Sequence, residues 1–587
     1  MEYKLHDKST NDISNILETV LHNRGIDNVH EFLNISKANQ LDYALLDNMQ
    51  SAVDCFMQNI EFENNVHIVV DPDADGYCSA AMVYRYIKKL APSVRVTYSI
   101  HAGKKHGLTD DIIISDDTHL IIIPDASSSD YEQHKYYWHG KGMDIIVLDH
   151  HMCDEYSGYA LVVNNQMSPN YSNKSLSGAG VVYKFLQAVD DELWHNDADT
   201  YLDLVAVANI GDVMDSRSLE TRYLMTEGLK RIKSNAIKAL HNKVEDRAGS
   251  LNLISVAFYI VPLINAMIRA GTQEQKDLMF RSFCEEDVEF DYKKRDGSIV
   301  KETIHERMAR ECVNAKSRQD RLKLKVTETI RKHIERNNLA DSRIILCCVD
   351  DMVTNELTGL IATEIAKVYK RPALLYRTRN TDEGVICSGS GRNYGGHELT
   401  DLRSMLLETG LFESVEGHPN AFGMSFAAEN IDAIVRECNK VLQNYSAHTA
   451  HEVDFVIEFD DLEDSAFYEM DKLKHIWGQK VDEPSFAILN VNTQVSDIAV
   501  KNNTVRFEAD GITFIRFKAS EDDRLMVLRQ EFDDDWDARG ARADTSNIDI
   551  DVVGRIGYNS FGGVKRKQVV VSDWAIRLTN PKGCTPK

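Results

Sequence analysis

Ten cysteines are spread along the 587 residues without a Cys-x-x-Cys pair or an even spacing. Neither a zinc site nor a disulfide framework is therefore expected. Cys347-Cys348 sits inside an apolar, strand-like run and reads as two small packing hydrophobes. No signal peptide is expected, because Met1 to Thr10 is polar and mixed in charge. No apolar run approaches the roughly 18 residues of a membrane span. A soluble, cytoplasmic protein of a reducing compartment is expected. Positive charge is also short: 67 Lys and Arg face 92 Asp and Glu, a net charge of −25. That balance argues against a general, sequence-independent nucleic-acid binder but leaves room for a local basic channel.

The bulk composition is ordinary. At 43% hydrophobic and 27% charged, the chain can build large cores, and its length allows about three or four domains. Residues 301–336 carry 11 Lys and Arg against 6 Asp and Glu on a long helix-like stretch. A solvated helix face explains that surplus as well as a channel does.

The most informative segment runs from Val66 to Gly76. An apolar run that reads as a buried strand ends in Asp71, Asp73 and Asp75, closed by Gly76. Carboxylates this close repel one another unless hard cations neutralise them. A solvated turn would not need the apolar lead-in. A calcium loop shares the opening, but its twelfth position, which needs Glu, is Met82.

Two further strand-then-acid segments follow: Leu120 to Asp125, and Met143 to Asp149-His150-His151. Leu204 to Asp212 is a fourth candidate, although its apolar pattern suits a helix as well as a strand. Strands alternating with helix-like stretches over 61–235 imply βαβ units and a parallel sheet. The carboxyl ends of such strands converge on one rim. Each Asp alone is an ordinary turn former or helix cap. Together, oxygen ligands with one or two imidazoles point to Mn²⁺, with Mg²⁺ as the substitute. Two ions about 3.5–4 Å apart, sharing a carboxylate and a water, make a two-metal hydrolytic arrangement.

Asp71-Pro72-Asp73-Ala74-Asp75-Gly76 with Asp149-His150-His151 resembles the DHH phosphoesterase superfamily. Asn23-Arg24-Gly25-Ile26, Glu31-Phe32-Leu33 and Leu46-Asp47-Asn48-Met49 are similar to the leader of RecJ-like single-stranded-DNA-specific exonucleases. Ser177-Gly178-Ala179-Gly180-Val181 and Pro262-Leu263-Ile264-Asn265-Ala266 with Arg269 resemble further signatures of that family. Glu356 to Ala362 and Arg371-Pro372 resemble the start of a DHH-associated domain. Gly389-Ser390-Gly391-Arg392 and Gly417-His418-Pro419-Asn420-Ala421-Phe422-Gly423 resemble its substrate-facing motifs. The similarity covers most of residues 15–430 in the family's order. Glu416 stands where the family usually has Gly, and Asp125-Ala126-Ser127 replaces the usual Asp-Asn-Gly. Residues 283–302 look like an elaboration. These departures mark a divergent member, of a kind a virus could carry.

The resemblance implies roles. Asp125 would bridge both ions, Asp73 would hold the first, and Asp75, His150 and Asp212 the second. Asp71 would complete the first ion's shell, directly or through water. Asp149 would orient a His, and His151 would contact the scissile phosphate. In Gly389-Ser390-Gly391-Arg392, backbone N–H groups could approach an anion, with Arg392 clamping phosphate and Ser390 beside it. His418 would face the metals, and Asn265, Arg269 and Lys105 would hold the strand.

The expected fold class is α/β. A helical leader (1–60) precedes a parallel-sheet DHH domain (61–235), a helical connector (236–340) and a smaller α/β DHH-associated domain (341–450). The connector's basic helix would line the channel between the two halves. An all-β, OB-like domain (451–587) follows, with strands at 455–459, 504–507, 512–517 and 569–571. Turns are expected at Gly554 to Asn559 and at Phe561-Gly562-Gly563, near basic Lys565-Arg566-Lys567. Asp533-Asp534-Asp535-Trp536-Asp537 reads as a solvated loop or a protein-contact site. RecJ-like barrels combine basic grooves with stacking aromatics.

By family likeness the expected activity is a metal-dependent 5′-to-3′ exonuclease on single-stranded DNA, releasing 5′-mononucleotides in recombination, repair or replication. The alternative is a DHH phosphoesterase of short oligonucleotides or cyclic dinucleotides, whose known forms lack the leader and the C-terminal barrel. A non-catalytic replication component would have lost ligands, and every expected ligand is here. A monomer is expected. A helicase or single-strand-binding protein would suit the family as partner, and no motif specifies either.

Overall fold

The computed structural model describes the chain apart from residues 104, 111, 154, 383, 447–449, 520–522, 540–546, 560–563 and 579–587. The side chains of 356, 534–539 and 578 are also outside the description. The chain divides into two compact units, one spanning 36–449 and the other joining 1–35 to 450–587.

The larger unit opens with a five-stranded sheet: β1 (Val66–Val70), β2 (Val96–Ile100), β3 (Leu120–Pro124), β4 (Asp144–Asp149) and β5 (Leu161–Asn164). Every pair is parallel, in the order β2-β1-β3-β4-β5. β1 and β3 are buried at every position, as near-continuous apolar strands covered on both faces must be. The strand order reverses between β1 and β3, and open sheets of this kind keep their crevice at that point. Helices α1 (Ala74–Leu90), α2 (Gly178–Leu193) and α3 (Leu202–Gly211) pack on one another beside the sheet. The Leu204 to Ile210 run is thus a helix, not a fourth strand. Its residues are buried all round, which erases the periodicity that separates the two.

Helix α4 (Val261–Ala270) belongs to the stretch Leu253–Ala270, which is apolar and long enough to cross a membrane. This corrects the expectation that no such run exists. It is 56% buried within the protein and packs on α1 and α3, as a core helix does. Residues 283–302 include the antiparallel pair Glu289–Lys293 and Ile299–Thr303. Arg307 and Arg310 stack over Phe290 and Tyr292 at 4.3 and 4.4 Å, seating this hairpin on α5 (Ile304–Arg336).

Helix α5 starts in a capping box, Thr303 with Glu306, and runs 33 residues, roughly 50 Å. Much of its positive charge is paired locally. Arg310 meets Glu302, Lys316 meets Asp320, Lys323 meets Glu364 and Lys332 meets Glu328. The surplus is therefore less available to a channel than a count implies. The helix ends against a second sheet, built from β6 (Ile345–Cys348), β7 (Ala373–Thr381), β8 (Gly384–Arg392), β9 (Ser414–His418) and β10 (Ala421–Ala427). The order is β9-β10-β8-β7-β6, with only β6 and β7 parallel. One core holds Val326, Ile330 and Ile334 of α5 with Leu357, Ile361 and Ile365 of α6 (Asn355–Tyr369). A second core holds Leu402, Met405, Phe426 and Ile434.

In the other unit, the expected leader divides. Tyr3–Leu5 pairs in parallel with His451–Val453, and Arg24 and Asn23 donate to the buried Asp454 carboxylate. Residues from 36 onward belong to the larger unit instead. A buried carboxylate needs such donors, and these lie some 430 residues away, beyond any local pattern. The seven-stranded sheet of this unit contains β11 (Phe455–Glu458), β12 (Phe486–Gln494), β13 (Ala499–Lys501), β14 (Thr504–Ala509), β15 (Ile512–Arg516), β16 (Asn547–Asn559) and β17 (Arg566–Leu578). Its order is β11-β12-β16-β17-β15-β14-β13. Gly554 to Asn559 is not a turn but the end of β16, paired with β17. Asp533 to Asp537 belongs to helix α7 (Arg524–Arg539) rather than a loop, and the side chains from 534 on lie outside the described residues. So does Phe561-Gly562-Gly563. Lys565 and Lys567 pair with Asp471 and Asp464, which neutralises much of the expected basic patch.

Candidate metal centre

Asp71 leaves β1 and Asp125 leaves β3, so the two acids flank the point where strand order reverses. Asp73 caps α1, accepting the Gly76 N–H at 2.9 Å. Asp75, in the first turn, is buried and accepts the N–H groups of Gly178 and Ala179 at 2.6 and 2.8 Å. Those donors are the first turn of α2, so orphan amides and a positive helix end are aimed at Asp75. Neither glycine has room for a side chain. A Cβ at Gly76 would lie 2.4 Å from the Asp71 carbonyl, and one at Gly178 2.5 Å from Asp125 Oδ1.

Asp125 holds φ at +71° and Ser127 at +86°, a left-handed region that costs a non-glycine residue energy. His150 Nε2 lies 3.2 Å from Asp125 Oδ1, 3.2 Å from Asp212 Oδ2 and 3.8 Å from Asp75 Oδ2. Asp212 reaches this point as the C-cap of α3. Asp149 is spent on protein donors. It accepts Ser128 N–H and Oγ–H at 3.1 and 2.7 Å, and the His150 and His151 N–H groups at 2.7 and 3.1 Å. His151 Nδ1 lies 2.9 Å from it.

Ligand atoms gather in overlapping groups, each within 4.8 Å: Asp71 with Asp73 and Asp125, and Asp75 with His150 and Asp212. Asp125 also groups with His150 and His151. In a separate trio, Asp190, His195 and Asp197, the two carboxylates are engaged by Tyr86, by backbone N–H groups and by Lys89.

These residues fit divalent metal binding. Both Asp125 oxygens and His150 Nε2 are buried without a well-directed hydrogen bond. Burial and the neighbouring Asp212 push the Asp75 carboxyl up to about 7. Burial likewise pushes Asp71 up to about 6 and Asp125 well above the carboxylate range. Burial would lower His150, yet Asp212 and Asp75 carry it up to about 9. Acids that repel one another at close range form a site that positive charge stabilises. For Asp149, burial is overcome by His151 and Ser128, which hold its carboxyl below the usual range.

Helix α4 carries Asn265 and Arg269 one turn apart. Arg269 is within electrostatic reach of both Asp73 and Arg392. Arg392 ends β8, where Nη1 donates to the Gly391 and Phe422 carbonyls at 2.7 and 3.3 Å. Ser390 lies two residues back, on the same face of the strand. His418 ends β9 within electrostatic reach of Asp212, whose carboxyl is held below the usual range against burial chiefly by its hydrogen bond with His150. Lys105 is exposed next to His106.

Residues 65–209 match the DHH family, N-terminal domain. Over 590 residues, 38% are identical to the SPbeta prophage-derived YorK of Bacillus subtilis, covering 99% of each chain. That relative's name proposes single-strand DNA-specific exonuclease activity. This chain belongs to the RecJ-like DHH family. The single-stranded-DNA-specific exonuclease RecJ of Bacillus subtilis is 24% identical over 598 residues, 96% of this chain and 68% of that one. RecJ of Thermus thermophilus, solved with Mn²⁺, aligns at a TM-score of 0.69 with 18% identity, covering 100% of this chain and 80% of that chain. This RecJ-like chain is accordingly a hydrolase of the phosphodiesterase class.

One expected feature of the RecJ-like chain does not form. Gly389-Ser390-Gly391 makes no backbone cradle, because it lies inside β8, paired with β7 on one side and β10 on the other. Its N–H groups serve the ladder. The glycines answer to space instead: a Cβ at 389 would lie 1.9 Å from the Leu375 carbonyl, and one at 391 2.2 Å from the Phe422 ring. The side chains of Ser390 and Arg392 are what remain for an anion.

Sequence reasoning missed His106, Ser128 and Asn164. His106 Nδ1 stands 2.6 Å from Asp71 Oδ2. Asn164 donates to Ser128 Oγ and to the His151 carbonyl at 2.9 and 2.8 Å. His106 sits in a loop without periodicity. Only its place after β2, beside the reversal point, could have marked it.

Proposed function

We propose that this chain is a metal-dependent exonuclease that digests single-stranded DNA from 5′ to 3′ and releases 5′-mononucleotides. The observation that carries this reading is the pair of ligand groups sharing the rim around Asp125. Asp71, Asp73 and Asp125 would hold one ion, and Asp75, His150 and Asp212 a second, with Asp125 shared. Mn²⁺ suits this donor set, with Mg²⁺ as the substitute, and Thermus RecJ has been solved with each. When bound, such ions acidify a shared water and neutralise charge on the leaving oxygen.

The protein's own groups do the rest. Asp149 fixes His151 toward the scissile phosphate. Arg392 and Ser390 grip phosphate from the second sheet, while Arg269, Asn265 and Lys105 hold the strand and His418 faces Asp212. The C-terminal unit supports an OB-type role as a single-strand platform. In its favour, β15 and β17 are parallel, a helix separates β15 from β16, and β12 pairs with β16, so the seven strands are not joined as a simple meander. The setting would be DNA recombination, repair or replication, with the protein acting as a monomer and a helicase or single-strand-binding protein as candidate partner.

A time course on long single strands labelled at either end, with Mn²⁺ and with Mg²⁺, tests the reading. Loss of the 5′ label as mononucleotide is expected before any shortening seen from the 3′ label. Turnover of dinucleotides alone would replace this reading with the small-substrate phosphoesterase.

A further inference from the structure

Asp71 is 1% exposed and stands in the group with Asp73 and Asp125. Both of its oxygens are already engaged. His106 Nδ1 lies 2.6 Å from Oδ2, and the Gly107 N–H donates to Oδ1 at 3.2 Å. Two carboxylate oxygens offer about four lone-pair sites, so these contacts set the carboxylate's plane without exhausting it. A short hydrogen bond to a carboxylate is the strong, charge-assisted kind.

The backbone that carries His106 is itself tied down. His101 Nε2 bonds the Gly107 carbonyl at 3.0 Å, and the Leu108 N–H donates to Asp130 Oδ2 at 2.9 Å. A Cβ at Gly107 would lie 2.3 Å from that same Asp130 oxygen. The segment after β2 is thereby locked to the segment that follows Asp125. The His106 side chain is 59% exposed, so it adds little to the core. Its strong inward contact is to a candidate metal ligand.

We propose that His106 is a positioning residue of the metal centre, fixing Asp71 so that a free lone pair faces the ion it shares with Asp73 and Asp125. This rests on the two-ion reading above. Groups that orient a ligand from behind are worth about 10- to 100-fold in metal affinity.

The test is calorimetric titration of the metal-stripped full chain with Mn²⁺, with free Mn²⁺ followed by electron paramagnetic resonance. Wild type is expected to bind in two classes. Asp75→Asn identifies the class built on Asp75, His150 and Asp212. His106→Ala is expected to weaken the other class by about 10- to 100-fold and leave the Asp75 class unchanged. His106→Asn, which can still donate an N–H, should recover part of the loss. Wild-type constants for both classes in His106→Ala would overturn the proposal. So would equal loss in both classes with a fallen Tm, which marks a merely structural role. If His106→Ala does not fold, His106→Phe against His106→Gln carries the same comparison, and equal affinities would overturn it. Wild type that binds no Mn²⁺ would fell the metal-centre reading itself, a result distinct from failure of His106 alone.

Discussion

Gly178 and Asp75 are 103 residues apart in sequence, yet the Gly178 N–H donates to Asp75 Oδ2 at 2.6 Å. The same glycine faces Asp125, whose Oδ1 would lie 2.5 Å from any Cβ placed there. One residue thus fixes the spacing of two acids that follow different strands, one in the first turn of α1 and one just past β3. Gly178→Ala is expected to displace Asp125 and lower kcat/KM by about 100-fold or more, the usual cost of a roughly 1 Å misplacement. Steady-state kinetics at saturating Mn²⁺ check it, and a near wild-type value would contradict the packing argument.

Asp125 is buried, its oxygens take no well-directed hydrogen bond, and it stands among Asp71, Asp73, Asp75 and Asp212, so without metal its charge is a liability. Asp125→Asn is expected to abolish hydrolysis while raising the stability of the metal-free protein by about 1–3 kcal/mol. Thermal unfolding in EDTA measures the sign. Adding Mn²⁺ should raise the Tm of wild type by mass action and that of the variant far less.

The same carboxyls make stability depend on pH. Asp71 and Asp75 are pushed up to about 6 and about 7, against an ordinary 3.8. A raised acid binds its proton more tightly when folded. Its contribution is full below the unfolded value and is lost as pH rises through the folded one. These two groups should therefore weaken the metal-free protein between about pH 4 and pH 7. The Tm gap between Mn²⁺-loaded and metal-free protein is expected to widen over that window. A gap that stays constant with pH would count against it.

Arg392 ends β8 with its guanidinium anchored on the Gly391 and Phe422 carbonyls, within electrostatic reach of Arg269. Lysine keeps the charge but loses the planar fork. Arg392→Lys is expected to raise KM for single-stranded DNA about tenfold, near 1.4 kcal/mol, with a smaller change in kcat. An unchanged KM would remove Arg392 from substrate binding.

Asp149 accepts hydrogen bonds from Ser128, His150 and His151. An amide in its place would turn a donor toward donors. Asp149→Asn is expected to cost about 2–4 kcal/mol of stability and to release His151. Denaturant unfolding and activity should fall together, and loss of activity at full stability would point to a direct chemical role instead.

Much of the centre was legible because its residues follow strands that announce themselves. The apolar runs before Asp71, Asp125 and Asp149 are short and rich in Val and Ile, so they read as buried strands, and parallel strands end on one rim. Asp212 was legible as a candidate, with helix and strand both left open before it, since a segment buried on every side has no amphipathic period. The Gly389-Ser390-Gly391 triplet misled for a related reason. Close approach of neighbouring chains and close approach of an anion both demand glycine, and sequence does not say which.

The sequence by itself determined a parallel α/β sheet with acids and histidines at its strand ends, because hydrophobic periodicity and turn chemistry are local. Only tertiary structure decided which donors those acids meet. His106 beside Asp71, α2 aimed at Asp75, and residues 1–35 joined to the C-terminal unit all depend on contacts between segments far apart in sequence. Such contacts are selected by burial and hydrogen bonding in the folded chain, and no neighbouring residue encodes them.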